Sequence, residues 1–283
     1  MSAARKVAID GGPYALAAGP DGAMWVTLVH GGSIAKVTAG GDVTVYPVDP
    51  QSRPSIITAG PDGAMWFTRT GDDRIGRITT AGELSEFELA DGSGPFGITA
   101  GPDGALWFTA MTSGGIGRIT MDGEVSELRA VGGAPSMIVN GPDNALWFTL
   151  NQGNAIGRLT PSGDLKVREL PTAAAGPVGI TATHDDAVWF TEILADKIGR
   201  IPMNEAIQEM DLPGKPHAVV ADHDDGVWVS LWGADQIARI SGDGSEVVTI
   251  DLPPGSEPHG LAIGPDGALW VALESGFVLR MPT

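Results

Sequence analysis

The sequence predicts an all-β fold, a seven-bladed β-propeller with four-stranded blades, built as a single domain over residues 1–283. Three observations lead there. Tryptophans recur at 25, 66, 107, 147, 189, 228 and 270, at intervals of 39 to 42 residues. Each stands 12 residues after a proline, at 13, 54, 95, 135, 177, 216 and 258. The two ends of the repeat are also complementary. The seventh unit stops at "GFVLRMPT" with three strands, whereas "RKVAID" before Pro13 reads as a fourth strand without a blade. Pairing Arg5 to Asp10 with the last unit would close the ring and remove two free edges.

The third unit shows the elements in order. "FGITA" is a short apolar strand, "GPDG" a turn, "ALWFTA" a second strand, "GIGRIT" a third and, after "MDG", "EVSELRA" a fourth. Runs of five or six apolar or alternating residues separated by Gly, Pro and Asp are the signature of strands joined by tight turns. A tryptophan at the same place in every unit reads first as a packing residue between neighbouring sheets. Information about function therefore lies where units depart from the repeat.

Composition narrows the classes. With 35 acidic and 17 basic residues the formal charge is −18, and the cations are scattered singly, which excludes phosphate-neutralising nucleic-acid binding. Cysteine is absent, so thiolate chemistry, disulfides and Cys-ligated zinc are excluded. No apolar run reaches the ~18 residues of a membrane span, and the chain is expected to be a cytoplasmic monomer without membrane or nucleic-acid partners.

In a propeller the first strand of each blade lines the central channel. The residues after the seven prolines should then ring one mouth: Tyr14, Ser55, Phe96, Ser136, Val178, His217 and His259. The residues four after each tryptophan form a partner ring: Val29, Thr70, Met111, Asn151, Ile193, Trp232 and Glu274. Counting about the turn at 265–267 sets His259 opposite Glu274 across the open end of their hairpin. His184 and His223 fall in the turns "THDD" and "DHDD" at the opposite end and read as turn residues; His30 lies near the mouth with no role assigned. Glu192, three after Trp189, alternates onto another face and is expected to be solvated or structural.

His217 and His259 on adjacent blades, with Glu257 and Glu274 nearby, form the candidate site. An imidazole of ordinary pKa, near ~6.5, can take a proton at neutral pH. Two carboxylates plus water suit Mg²⁺, and His217, His259 and one Glu could hold zinc.

At these residues the chain resembles the virginiamycin B (streptogramin) lyases. The likeness covers essentially the whole sequence through "WFTRTGDDRIGRIT" and "WFTLNQGNAIGRLT", and is sharpest in "KPHAV", "SEPHG" and "ALES". It implies a Mg²⁺-dependent elimination that linearises type B streptogramins, cyclic depsipeptide antibiotics, at the threonyl ester. His259 would be the general base, Glu257 and Glu274 the metal-associated acids, and His217 a substrate contact. Tyr14, from the post-proline ring, is a second candidate for binding the substrate. A metal-dependent lactone or ester hydrolase and a non-enzymatic ligand-binding propeller are the alternatives.

Overall fold

The computed structural model describes residues 4–283 apart from 127, 204 and 225. It contains seven four-stranded antiparallel sheets. First strands of successive blades pack on one another around the ring, and the first strand of blade seven, Pro258–Ile263, packs on that of blade one, Pro13–Ala18. Closure is as expected from the chain ends. Arg5–Ala8 is the outer strand of blade seven, antiparallel to Phe277–Met281, with Arg5 opposite Arg280 and Ala8 opposite Phe277. Blade three differs in its fourth strand: only Arg129–Ala130 forms a ladder, and the preceding stretch keeps an isolated bridge between Ile119 and Val125.

The second strand of every blade is buried on both faces, so it reads as an apolar run rather than an alternation. All seven repeat tryptophans are buried between blades. In blades one to four the Asp of the "GPD" turn accepts from the indole N–H at 2.9–3.2 Å. The same Asp pairs with the Lys or Arg of the third strand. The indole N–H groups of Trp189 and Trp228, in the "THDD" and "DHDD" blades, and of Trp270, in a blade that keeps "GPDG", are buried without such a bond.

Two further repeats position the mouth. In every blade the pairing slips by a bulge just after the proline. The residue before the proline has positive φ each time: Gly12, Arg53, Gly94, Ala134, Gly176, Lys215 and Glu257. The bulge leaves a backbone N–H outside the ladder. In blades one to six a hydroxyl two after the tryptophan accepts from it, at 2.7–3.1 Å. That hydroxyl donates to the carbonyl of the post-proline residue of the next blade, at 2.5–2.8 Å. Thr27, Thr68, Thr109, Thr149, Thr191 and Ser230 thus stitch each blade to the next.

Candidate active site

Five members of the post-proline ring, Tyr14, Phe96, Val178, His217 and His259, line one cavity, and three of them come together. The rings of His217 and His259 have centroids 3.8 Å apart, and His259 lies 3.8 Å from Tyr14 on its other side. Phe96 meets Tyr14 edge-on at 6.4 Å. The cavity they line, of about 160 Å³, is completed by Ile56, Ile98, Met137 and Leu261. Two imidazoles and a phenol thus share one cavity with apolar side chains, the usual composition of a small-molecule site.

Burial sets the electrostatics. It pushes the His217 imidazole down to about 4, and Nδ1 of that ring is enclosed without a hydrogen-bond partner. For His259 burial acts first and the neighbouring His217 second, partly offset by a hydrogen bond to the Tyr14 backbone; the result is about 2. The near-neutral pKa expected from sequence is therefore not found: both rings are neutral bases held in a dry environment. Burial also raises the Tyr14 phenol, which stays protonated.

The carboxylates are arranged differently from the hairpin count. Because of the bulge, Pro258 pairs with Leu273, and the Glu274 N–H donates to the Glu257 carbonyl at 3.1 Å. Glu257, whose aim strand alternation left open, is thus the backbone partner of Glu274. The Glu274 side chain turns across the ring closure to His30 of blade one, with Nε2 2.9 Å from Oε1. His259 packs on Tyr14 and His217 instead of facing Glu274. His30 was assigned no role in the sequence; it stands five after Trp25, one place past the partner ring, and only ring closure brings it to Glu274.

Glu192 is not solvated. It is 0% exposed, neither oxygen has a partner, and burial followed by the charge of Glu209 raises its carboxyl to about 7, against a smaller pull from Lys197. Glu209 itself accepts from the N–H and hydroxyl of Thr172 at 3.0 and 2.6 Å. His184 and His223 lie in turns at the far end, as expected.

As to metals, Glu257 and Glu274 offer hard oxygen donors from two hydrogen-bonded backbone positions at the mouth. Among the described residues no three His, Asp or Glu side chains converge as a ligand cluster. The two carboxylates are of the donor type that Mg²⁺ takes, an ion commonly held by one or two carboxylates with the remaining positions left to water or substrate. The zinc set of His217, His259 and a Glu needs three convergent protein ligands, which the described residues do not offer.

Comparison with known proteins gives the family. A sequence model of the Virginiamycin B lyase family matches residues 3–281. The virginiamycin B lyase of Mycolicibacterium smegmatis is 79% identical over 282 residues, covering 100% of both chains. That of Mycobacterium sp. (strain KMS) is 74% identical over the same length, again covering 100% of both. The crystal structure of virginiamycin B lyase from Staphylococcus aureus superimposes with a TM-score of 0.93 at 39% identity, covering 99% of each chain. A catalytically inactive histidine-to-alanine variant of that enzyme, solved with quinupristin, matches with the same TM-score at 38% identity, again covering 99% of each. A single fold, a single mouth and a family match from end to end lead to one conclusion: the chain belongs to the virginiamycin B lyase family.

Proposed function

We propose that this protein is a carbon–oxygen lyase that linearises type B streptogramins, cyclic depsipeptides, by Mg²⁺-dependent elimination at the threonyl ester. The observation that carries the reading is the stack of His217, His259 and Tyr14 at the channel mouth, beside the backbone-paired Glu257 and Glu274, in a member of this family. The relative solved with quinupristin, a small cyclic molecule, supports a ligand of this class.

His259 serves as general base. Its neutral ring presents a lone pair, and it removes the proton from the threonyl carbon next to the carbonyl. The C–H electrons form a carbon–carbon double bond, and the adjacent C–O bond breaks with the ester carboxylate as leaving group. The proton stays on His259, where negative charge developing on the substrate offsets the burial that keeps the ring neutral at rest. His217, whose ring packs on that of His259, would contact the substrate. Tyr14 flanks His259 and excludes water from its face. Glu257 and Glu274 would hold Mg²⁺, which supplies Lewis-acid polarisation of the carbonyl.

Mass spectrometry of quinupristin incubated with protein and Mg²⁺ tests the reading. A linear product of unchanged mass supports elimination, and a gain of one water supports the hydrolase alternative. No change with wild type and His259→Ala alike rejects catalysis on this class.

A further inference from the structure

In five blades the fourth strand carries an apolar side chain at one fixed position. Tyr46, Phe87, Met210, Ile250 and Val7 stand there, opposite Ile34, Ile75, Ile198, Ile237 and Val278 of the third strands. Tyr46 stacks on Trp25 and Phe87 on Trp66, with ring centroids 5.6 and 5.2 Å apart. Three of them also reach a turn of the following blade: a Cβ on Gly82, Gly123 or Gly244 would lie 2.1–2.5 Å from Tyr46, Phe87 or Met210. These side chains fill the outer groove between their own blade and the next.

Blade four departs from the pattern on both sides of its groove. The residue opposite Ile156 is Arg168, and Lys166 stands opposite Arg158, which in turn faces Trp147. Strand alternation puts the three cations on one face. Across the groove, blade five has no glycine between its third and fourth strands, and Met203 and Glu205 stand in that connection. The result is a cavity of about 330 Å³ between these residues, against 160 Å³ at the mouth, and the two share no lining residue. Of its two acids, Asp143 is engaged, accepting from the Trp147 indole at 3.0 Å and from Arg158 at 2.5 Å. Arg168 donates to the Glu205 carbonyl, and among the described residues the Lys166 ammonium has no hydrogen bond or ion pair. Three cations against two acids leave this groove positive on a chain of net charge −18.

We propose that the groove between blades four and five is a second binding site, which takes a small organic dianion: Lys166 and Arg168 hold its oxyanion head, and Trp147 and Met203 take its apolar part. A doubly charged head, phosphate ester or dicarboxylate, can engage the ammonium and the guanidinium together through charge-assisted hydrogen bonds. The apolar walls beside them give the remainder of the ligand a place out of water. Nothing in this depends on catalysis at the mouth.

Titration of the full chain with phenyl phosphate, phthalate and inorganic phosphate, followed by ¹H–¹⁵N correlation spectra, reads both the site and Kd. Phenyl phosphate, phthalate or both should give saturable shifts centred on Trp147, Lys166, Arg168 and Met203, with Kd on the order of 0.1–1 mM, the scale two charge-assisted hydrogen bonds supply. The tighter of the two identifies the head group. Inorganic phosphate, with the charge but not the ring, should bind about 10-fold more weakly. Lys166→Ala and Arg168→Tyr should each raise Kd about 10-fold or more. Arg168→Tyr restores the kind of residue blade one carries and should not lower the melting temperature, which separates lost binding from lost fold. Arg129→Ala, removing an exposed cation of blade three, should leave Kd unchanged. Shifts that do not saturate with either aromatic probe overturn the proposal, as does a Kd unchanged in both groove variants. An equal loss in Arg129→Ala also overturns it, since the attraction would then be one of overall charge.

Discussion

Removing the charge of Glu192 should stabilise the protein, and by an amount that grows with pH. The corresponding residues of the other blades are Leu28, Arg69, Ala110, Leu150, Leu231 and Leu273, all buried. Of these the one charged residue, Arg69, is paired with Asp72 and Glu86. Glu192 has Glu209 where Arg69 has Glu86, so an ion pair in blade two is replaced by two acids in blade five. Its carboxyl is raised from 4.5 to about 7. An acid whose folded pKa lies above its unfolded value gives up its proton more readily when unfolded, so stability falls as pH rises through 4.5 to 7. At ~1.4 kcal/mol per unit, the penalty at pH 8 is about 3 kcal/mol and at pH 5 below about 1 kcal/mol. Glu192→Gln, which is neutral at all these pH values, and Glu192→Leu, which restores the residue of four sister blades, should both remove it. Urea unfolding of wild type and variants at pH 5 and pH 8 measures the gap, and only its change with pH is diagnostic. His217, held down to about 4, gives all these proteins the opposite slope at low pH, and it cancels in the difference. A gap that is the same at both pH values would refute the argument.

Other outcomes follow from the same contacts. His259→Ala should abolish elimination without loss of the fold, read as product by mass spectrometry and melting temperature by calorimetry. Removal of divalent cations with EDTA should stop turnover, and added Mg²⁺ should restore it; activity indifferent to both would remove the metal from the proposed reaction. Thr68→Val leaves the Ile56 N–H and Phe96 carbonyl without their hydroxyl and should cost about 1–3 kcal/mol in urea unfolding. Deleting residues 1–10 strips the outer strand from blade seven and should lower the melting temperature by many degrees.

The ring was legible because the repeat carries its own ruler. The fixed interval from proline to tryptophan gave blade number, strand order and the channel mouth, and the unmatched ends gave the closure. Side-chain partners were less so. Leu261 pairs with Val271, one residue away from the hairpin count, and the bulge after the proline slips the register by one more, so Glu257, not His259, stands opposite Glu274. No periodicity within a blade could announce the His30–Glu274 contact, because its members are 244 positions apart and meet only across the closure. The low pKa of both histidines depends on how tightly the mouth is packed, a property of the assembled ring.

The closure strand has a consequence for the order in which the molecule comes into being. Tyr14 and His30 are synthesised well before Glu257, His259 and Glu274, His30 and Glu274 being 244 positions apart; the cluster spans the junction of blades one and seven. A nascent chain with six blades made has no site at all. Function is thus withheld until the first and last segments have met, and a circular permutant cut between blades three and four, with the present ends joined, would build the same junction earlier in its synthesis.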